Sequence, residues 1–401
     1  MSRQATQGGV RMARSGGRRL YGLALATLVL VGQERLGQAQ EHSLMQDSSL
    51  LGESYGALPG TAEPTLPGAV DVVVESVVFF KNLELFHIPF APGYTRFGCL
   101  FPLRLRYRAD HRLTVELGAT IGRDFGDDDV VNVARLLGRL TYEPFDRVFV
   151  IAGSLLPTHW IHDAMLDDTR RLLTYGEEGV QLRVDREHFK HDQWIHWRIR
   201  EGLERPEEFE IGSSSQLRLF SSMLWIDGHF LWSHVGGQIN EGDRVEHNLT
   251  FLAGVSFGKS GLIKGVIGDA RLGVNGLWNI DHKRHEPEQK GQGIETFGTL
   301  DSDVFARSKL RFFASYFDGQ DFHADLGDPL YRLDRYAQFG LDWILRATRS
   351  LRIEVGYVLQ WTANMTNYSY LVNFVWDEAF STPIRPRLGP PPPPPLLLLG
   401  P

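Results

Sequence analysis

The chain has 401 residues, of which 42% are hydrophobic and 23% charged, and carries a formal net charge of -7. That length holds one large β-barrel or about two to three ordinary domains, and the composition excludes wholesale disorder. The acidic balance argues against a nucleic-acid partner, and a single cysteine, Cys99, excludes an intramolecular disulfide framework.

At the N-terminus, Arg18 and Arg19 precede the apolar run LYGLALATLVLVG (Leu20–Gly32), and GQA follows at Gly37–Ala39. This order of positive, apolar and small residues predicts a secretory signal over residues 1–39, with Met12 as an alternative start. The run is too short for a comfortable membrane helix, and Glu34 and Arg35 close it. No later segment is a candidate helical span. An exported chain of this kind is therefore either free beyond the inner membrane or inserted as a barrel. Residues 40–68 are polar and rich in Pro, Gly and Ser, which predicts a flexible periplasmic leader.

Over residues 69–380, apolar side chains recur at every second position in segments of about ten residues, the length a transmembrane strand needs. In FPLRLRYR, Leu103, Leu105 and Tyr107 alternate with Arg104, Arg106 and Arg108. Arg183 alternates with Leu182 and Val184, and Arg198 and Arg200 alternate with Trp197 and Ile199. In MLWIDGHFLW, Leu224, Ile226, Gly228, Phe230 and Trp232 form one row, opposite Asp227 and His229. Farther along, Lys309 and Arg311 alternate with Leu310 and Phe312, Arg346 with Leu345, and Arg352 with Leu351 and Ile353. The last segment, NYSYLVNFVW, sets Tyr368, Tyr370, Val372, Phe374 and Trp376 on one face.

The connections add a second regularity. Short ones (109–111, 143–146, 258–261, 347–350) alternate with long polar ones (156–175, 233–248, 279–291, 317–335). Short periplasmic turns and long outer loops have this order. The sequence therefore predicts an all-β fold, a transmembrane antiparallel β-barrel of about 16 strands, within a range of roughly 14–18, over residues 69–380. A soluble secreted sheet is the alternative. Against it, Trp197, Trp232, Trp343, Trp361 and Trp376 lie on apolar rows, mostly toward strand ends, where interfacial girdles belong. A polyproline run, Pro390–Pro395, marks residues 381–401 as a disordered tail, because proline lacks the ladder donor.

The closing aromatic row, together with the opening FFKNLELFHIPF and GYTRFGCLFPLRLRY, resembles Gram-negative outer-membrane β-barrels of the porin-like type. About two dozen residues follow Trp376, where that type usually ends on an aromatic residue, and Phe380 is the candidate terminal aromatic. The resemblance implies a place in the bacterial outer membrane, in contact with its lipid and lipopolysaccharide. It brings no functional residues with it.

On this phase, Arg104, Arg106, Arg135, Arg139, Arg183, Arg198, Arg200, Lys309, Arg311, Arg346 and Arg352 line the lumen. Rings of basic groups lower the entry barrier for anions. The leading expectation is a non-enzymatic channel for polar, preferentially anionic solutes. It serves either porin-like uptake or export of an acidic polysaccharide with periplasmic partners. Arginine held in salt bridges with inward acids such as Glu116, Asp185, Asp227, Asp342 and Glu354 is the structural alternative. Trp194 and Trp225 either stack on sugars or fill space. A non-conducting barrel serving as surface anchor or assembly partner is a second reading.

Enzymatic readings are weaker. The loop THWIHDAMLDD carries His159, His162, Asp163, Asp167 and Asp168, and a His–Asp pair can activate water, as in proteases of the omptin type. A phospholipase needs a serine with an orienting histidine, and Ser213–Ser215 lie in a strand-like stretch without a motif. His188 with His191 and His282 with His285 fall in polar segments that read as connections, half a zinc site at best. Asp127–Asp129 read as a solvated loop. With no phosphate-cradling GxxxxGK and no GxGxxG after a strand, neither cofactor nor metal is expected.

Overall fold

The computed structural model describes residues 67–383 apart from 89, 157, 168–175, 221–222, 240–244, 264–265, 303–307, 349 and 364. The predicted signal segment, the predicted leader up to residue 66, Asp168 and the predicted tail from 384 onward lie outside the described residues.

Sixteen strands follow in chain order among the described residues. They are β1 (Ala69–Glu84), β2 (Tyr94–Arg108), β3 (Leu113–Asp124), β4 (Val133–Phe145), β5 (Val148–Ser154), β6 (Glu178–Asp185), β7 (Phe189–Ile199) and β8 (Glu207–Leu219). The second half comprises β9 (Leu224–Gly236), β10 (Glu246–Ile263), β11 (Ile267–Lys283), β12 (Gln289–Ser302), β13 (Ser308–Gln320), β14 (Arg335–Arg346), β15 (Leu351–Thr362) and β16 (Thr366–Pro383). Each pairs antiparallel with the next, and β16 closes on β1 from Ala69↔Pro383 to Glu84↔Tyr368. Closure satisfies every strand and leaves no edge, which a sheet in hydrocarbon requires.

The alternation read from the sequence is the inside–outside alternation of the wall. Leu103, Leu105 and Tyr107 are 52%, 54% and 40% exposed on the outer face. Arg104 and Arg106 turn inward, to Glu75 at 2.9 Å and Glu116 at 2.9 Å. Burying the apolar row in lipid and the guanidiniums in a polar interior places each group where its transfer cost is least. The chain is an outer-membrane β-barrel.

Successive strands follow one another at short chain separation at one end of the barrel, as between β2 and β3, β4 and β5, and β6 and β7, where only 109–112, 146–147 and 186–188 intervene. This is the periplasmic end by the rule of short periplasmic turns, and both strand termini lie there. Several turns are tighter or farther along than the sequence suggests. Glu143–Phe145 remain in β4, and Arg147, with φ 55°, makes the reversal. Gly258–Gly261 belong to β10, whose pairing with β11 runs to Ser260↔Asp269 before a register shift at Gly261, φ +63°. At the outer end, three loops matter most: L1 (85–93), L3 (155–177) and L7 (321–334).

L1, L3 and L7 pack side chains into the interior. Ile88 and Ala91 of L1, Ile161, Ala164, Met165 and Leu166 of L3, and Phe322, Ala324, Leu330 and Tyr331 of L7 form one apolar cluster. It rests on Trp194, Leu231, Leu252, Leu277, Phe317 and Tyr336 of the wall. In L7, a 3-10 turn at Pro329–Arg332 is capped by Asp328, whose side chain accepts from the Leu330 N–H. Burying this much apolar surface on inward-facing positions holds the loops against the wall.

Candidate functional site

Most of the basic groups assigned to the lumen are spoken for. Arg139 bonds Glu116 at 3.1 Å and donates to the carbonyls of Ser154 and Leu155. Arg183 donates to Thr158 Oγ1 and O and lies 3.9 Å from the Trp160 ring centroid. Arg311 pairs with Asp301 at 2.8 Å, Arg352 with Glu354 at 2.7 Å, and Arg198 with Glu208 at 3.5 Å. Arg135 reaches the Gly176 carbonyl at the rim. Lys309 and Arg346 stand on inward rows of β13 and β14. Arg200 is a correction: β7 ends at Ile199, after a register shift beside Trp197, so Arg200 is exposed in a loop rather than set in the wall.

L3 carries two of the histidines singled out in the sequence into the interior. His159 is fully buried, with Nδ1 2.9 Å from Asp192 and Nε2 2.5 Å from Glu177. Its ring stacks on Trp194 at 3.6 Å between centroids, so Trp194 fills space against the loop. Burial pushes the His159 pKa down, but Glu177 and Asp192 outweigh it and raise it from 6.5 to about 9. His162 meets Glu295 at 2.9 Å, and the same carboxylate accepts from the Tyr331 hydroxyl at 2.8 Å and from Asn275 at 3.0 Å. These pairs join L3 and L7 to the wall. They are closed inside the barrel and unlike an exposed loop protease.

The outer wall holds a different arrangement. On β7 and β8 the even positions face in, so His191, Gln193, Ser213 and Ser215 face out. His191 is not in a connection, as the sequence suggested, but opposite Ser215, and its Nδ1 lies 2.8 Å from Ser215 Oγ. Gln193 and Ser213 form the next outward pair along the same strands. Around them stand exposed apolar side chains: Val180, Leu182, Phe189, Leu217 and Ile226. The His191 and Phe189 rings are near parallel, 8° apart. On the other side of Ser215, the paired residue of β9 is Gly228, where an added Cβ would meet nothing within 4 Å. Gly228 pairs in turn with Ala253 of β10. A Ser–His pair thus opens sideways onto a strip without bulk. Polar and ionisable groups on a lipid face are costly, and their presence marks a site.

A closed sixteen-stranded wall with an apolar outer face defines a membrane-spanning β-barrel, here one with a Ser–His pair on that face. The sequence matches the lipid A 3'-O-deacylase-type family over residues 62–380, and the chain belongs to that family. Family membership overturns the expectation of a non-enzymatic barrel: the family is one of deacylases. No curated protein matches the chain. Among solved structures, a loop L8 deletion mutant of the outer-membrane protein OmpT of Vibrio cholerae is similar at TM-score 0.50 and 11% identity. That similarity covers 78% of this chain and 100% of the other. An anion-selective porin from Comamonas acidovorans aligns at TM-score 0.45 and 10% identity, over 77% of this chain and 98% of its own. OprD from Pseudomonas aeruginosa aligns at 0.44 and 9%, over 80% and 96%. At these identities the likeness is one of fold.

Proposed function

We propose that the chain is an outer-membrane hydrolase of lipid acyl esters, with Ser215 as nucleophile and His191 as general base. The observation that carries this reading is the 2.8 Å contact between Ser215 Oγ and His191 Nδ1 on the lipid-facing wall. A lipid ester reaches that pair from the membrane, whereas the histidines of L3 are enclosed. Ser215 Oγ attacks the acyl carbonyl carbon while His191 Nδ1 takes the hydroxyl proton. Collapse of the tetrahedral intermediate breaks the ester C–O bond, and His191 returns the proton to the departing alkoxide. Water then hydrolyses the acyl-serine with the same base. Gln193 and Ser213, on the adjoining outward pair, would supply side-chain donors for the oxyanion. The strip at Gly228 and Ala253 leaves room for an acyl chain between Ile226 and Phe230.

Ser215 lies four residues from Leu219, where β8 ends on the periplasmic side, so the esters within its reach are those of the periplasmic leaflet. The test offers the folded protein vesicles of lipid A and, separately, of diacyl phospholipid, with released fatty acid read by mass spectrometry. Release is expected from at least one. Ser215→Ala or His191→Ala should lower it by on the order of 10³-fold while leaving the β-sheet spectrum unchanged. Equal release by the variants sinks the assignment.

A second reading, passage of small polar solutes, is favoured by one observation: a cavity under L3 and L7 whose lining includes Asp163, Glu295, Arg311, Ser315 and Gln338. Conductance with a reversal potential under a salt gradient tests it.

A further inference from the structure

We propose that Glu177, His196 and Glu210 bind one divalent transition-metal cation of the zinc class, fastening the end of L3 to the barrel wall. The three come from separate segments: Glu177 closes L3, His196 is on β7, and Glu210 is on β8, all toward the extracellular end of the lumen. One ligating atom from each lies within 4.8 Å of the other two. They are buried, at 7%, 3% and 0% exposure.

Bond lengths of about 2.0–2.2 Å around a tetrahedral zinc set neighbouring donors roughly 3.4 Å apart. His196 Nδ1 and Glu210 Oε1 already stand at 3.4 Å, the edge such a site requires. Glu177 alone has to close, by no more than about 1.4 Å, and it stands at the junction of a loop, where that movement is easiest. The donor chemistry, one imidazole and two carboxylates, suits a borderline cation better than a hard one that prefers an all-oxygen shell.

The charge of the surroundings supplies a second, independent reason. Glu177, Asp192 and Glu210 are buried together, and His159 is shared between Glu177 and Asp192. Arg183 lies near Asp192 as a further cation. Buried carboxylates gathered in this way favour positive charge set among them. A metal on Glu177 also fixes the carboxylate that orients His159. The same ion therefore acts on L3 through two contacts, in the manner of an outer-shell pair. This site is independent of the Ser215–His191 reading, being on the opposite face of the wall.

The full folded chain, stripped with chelator, is titrated with Zn²⁺ by calorimetry, and the metal retained after desalting is counted by mass spectrometry. About one zinc per chain is expected, together with a rise in the thermal unfolding midpoint. His196→Ala should retain none, and the isosteric Glu210→Gln should bind at least about tenfold more weakly. β-sheet circular dichroism reports folding of each variant, and Glu210→Gln decides the matter if His196→Ala fails to fold. Zinc retention by wild type no greater than by folded Glu210→Gln, or no retention at all, overturns the site.

Discussion

His159 carries carboxylates on both ring nitrogens, an arrangement that only a doubly protonated imidazole satisfies on both sides. Its pKa in the folded chain, about 9, stands above its ordinary 6.5. The protonated form is therefore favoured by folding. The linked stability is fully present below about pH 6.5 and is lost as pH rises through 9. Unfolding midpoints measured from pH 6 to 10 should fall across that window in wild type. In His159→Gln they should be lower at pH 6 and flatter. Parallel curves would show that the proton on His159 does not hold L3. The histidine itself was visible in the sequence, as part of a polar loop with His162 and Asp163. Its partners were not: Asp192 sits 33 residues away and Glu177 18 away, and only the inward fold of L3 brings them to it. His191 and Ser215 escaped for a related reason. FKHDQ reads as a connection because polar residues follow Phe189 on both faces, and the tie between the two residues is a cross-strand register that no local spacing reveals.

At the scale of the element, strand alternation was largely legible because lipid enforces it. A misplaced arginine on the lipid face costs about 2–4 kcal/mol at the midplane, so the period of two survives along each strand. Turn positions were less legible, since Gly258 and Gly261 look like a turn but lie in β10. What a strand does beyond pairing depends on its neighbours' volume. Gly212 of β8 lies directly opposite Trp194 of β7, and a Cβ there would come within 2.0 Å of the indole. The absence of a side chain lets Trp194 lie flat over the backbone and present its other face to His159. Gly212→Ala should therefore displace the indole and destabilise the fold by about 1–3 kcal/mol, as overpacking does. Gly228→Ala on β9, where the added carbon meets open space, should change stability by less than about 0.5 kcal/mol. Denaturant midpoints of the two variants make the comparison. Equal losses would mean that the Trp194 stack is not what Gly212 serves.

For the whole molecule, strand number alone predicts a wide aqueous pore, since barrels of about sixteen strands leave one. The loops change that outcome. L3 and L7 descend into the lumen and meet there, with the Asp328 N–H bonded to the Asp163 carbonyl and the Asp167 N–H to the Leu326 carbonyl. Both loops also reach the wall, L3 through His162 on Glu295, and L7 through Tyr331 on that same carboxylate and the His323 carbonyl on Asn248. Composition could not show this, because residues such as Phe322, Leu330 and Tyr331 are spread through a segment that otherwise reads as polar. Their burial depends on a lumen that exists only after the barrel closes. The extracellular part of the interior is therefore occupied by protein, while basic groups below it such as Arg104, Arg311 and Arg352 are engaged in ion pairs of the wall. Removing one loop should widen the passage without opening the sheet, because L7 joins β13 to β14, strands paired from Ser308↔Leu345 to Asp318↔Arg335. Replacement of residues 321–334 by a short Gly/Ser link should raise single-channel conductance in planar bilayers several-fold over the full chain. The Ser215–His191 wall, on the outside and five strands away at its nearest, should keep the hydrolysis proposed for it. Conductance unchanged by the replacement would mean that L7 does not limit the passage. Loss of hydrolysis along with the loop would tie the two faces of the wall together and shift the search for the reacting lipid to the lumen.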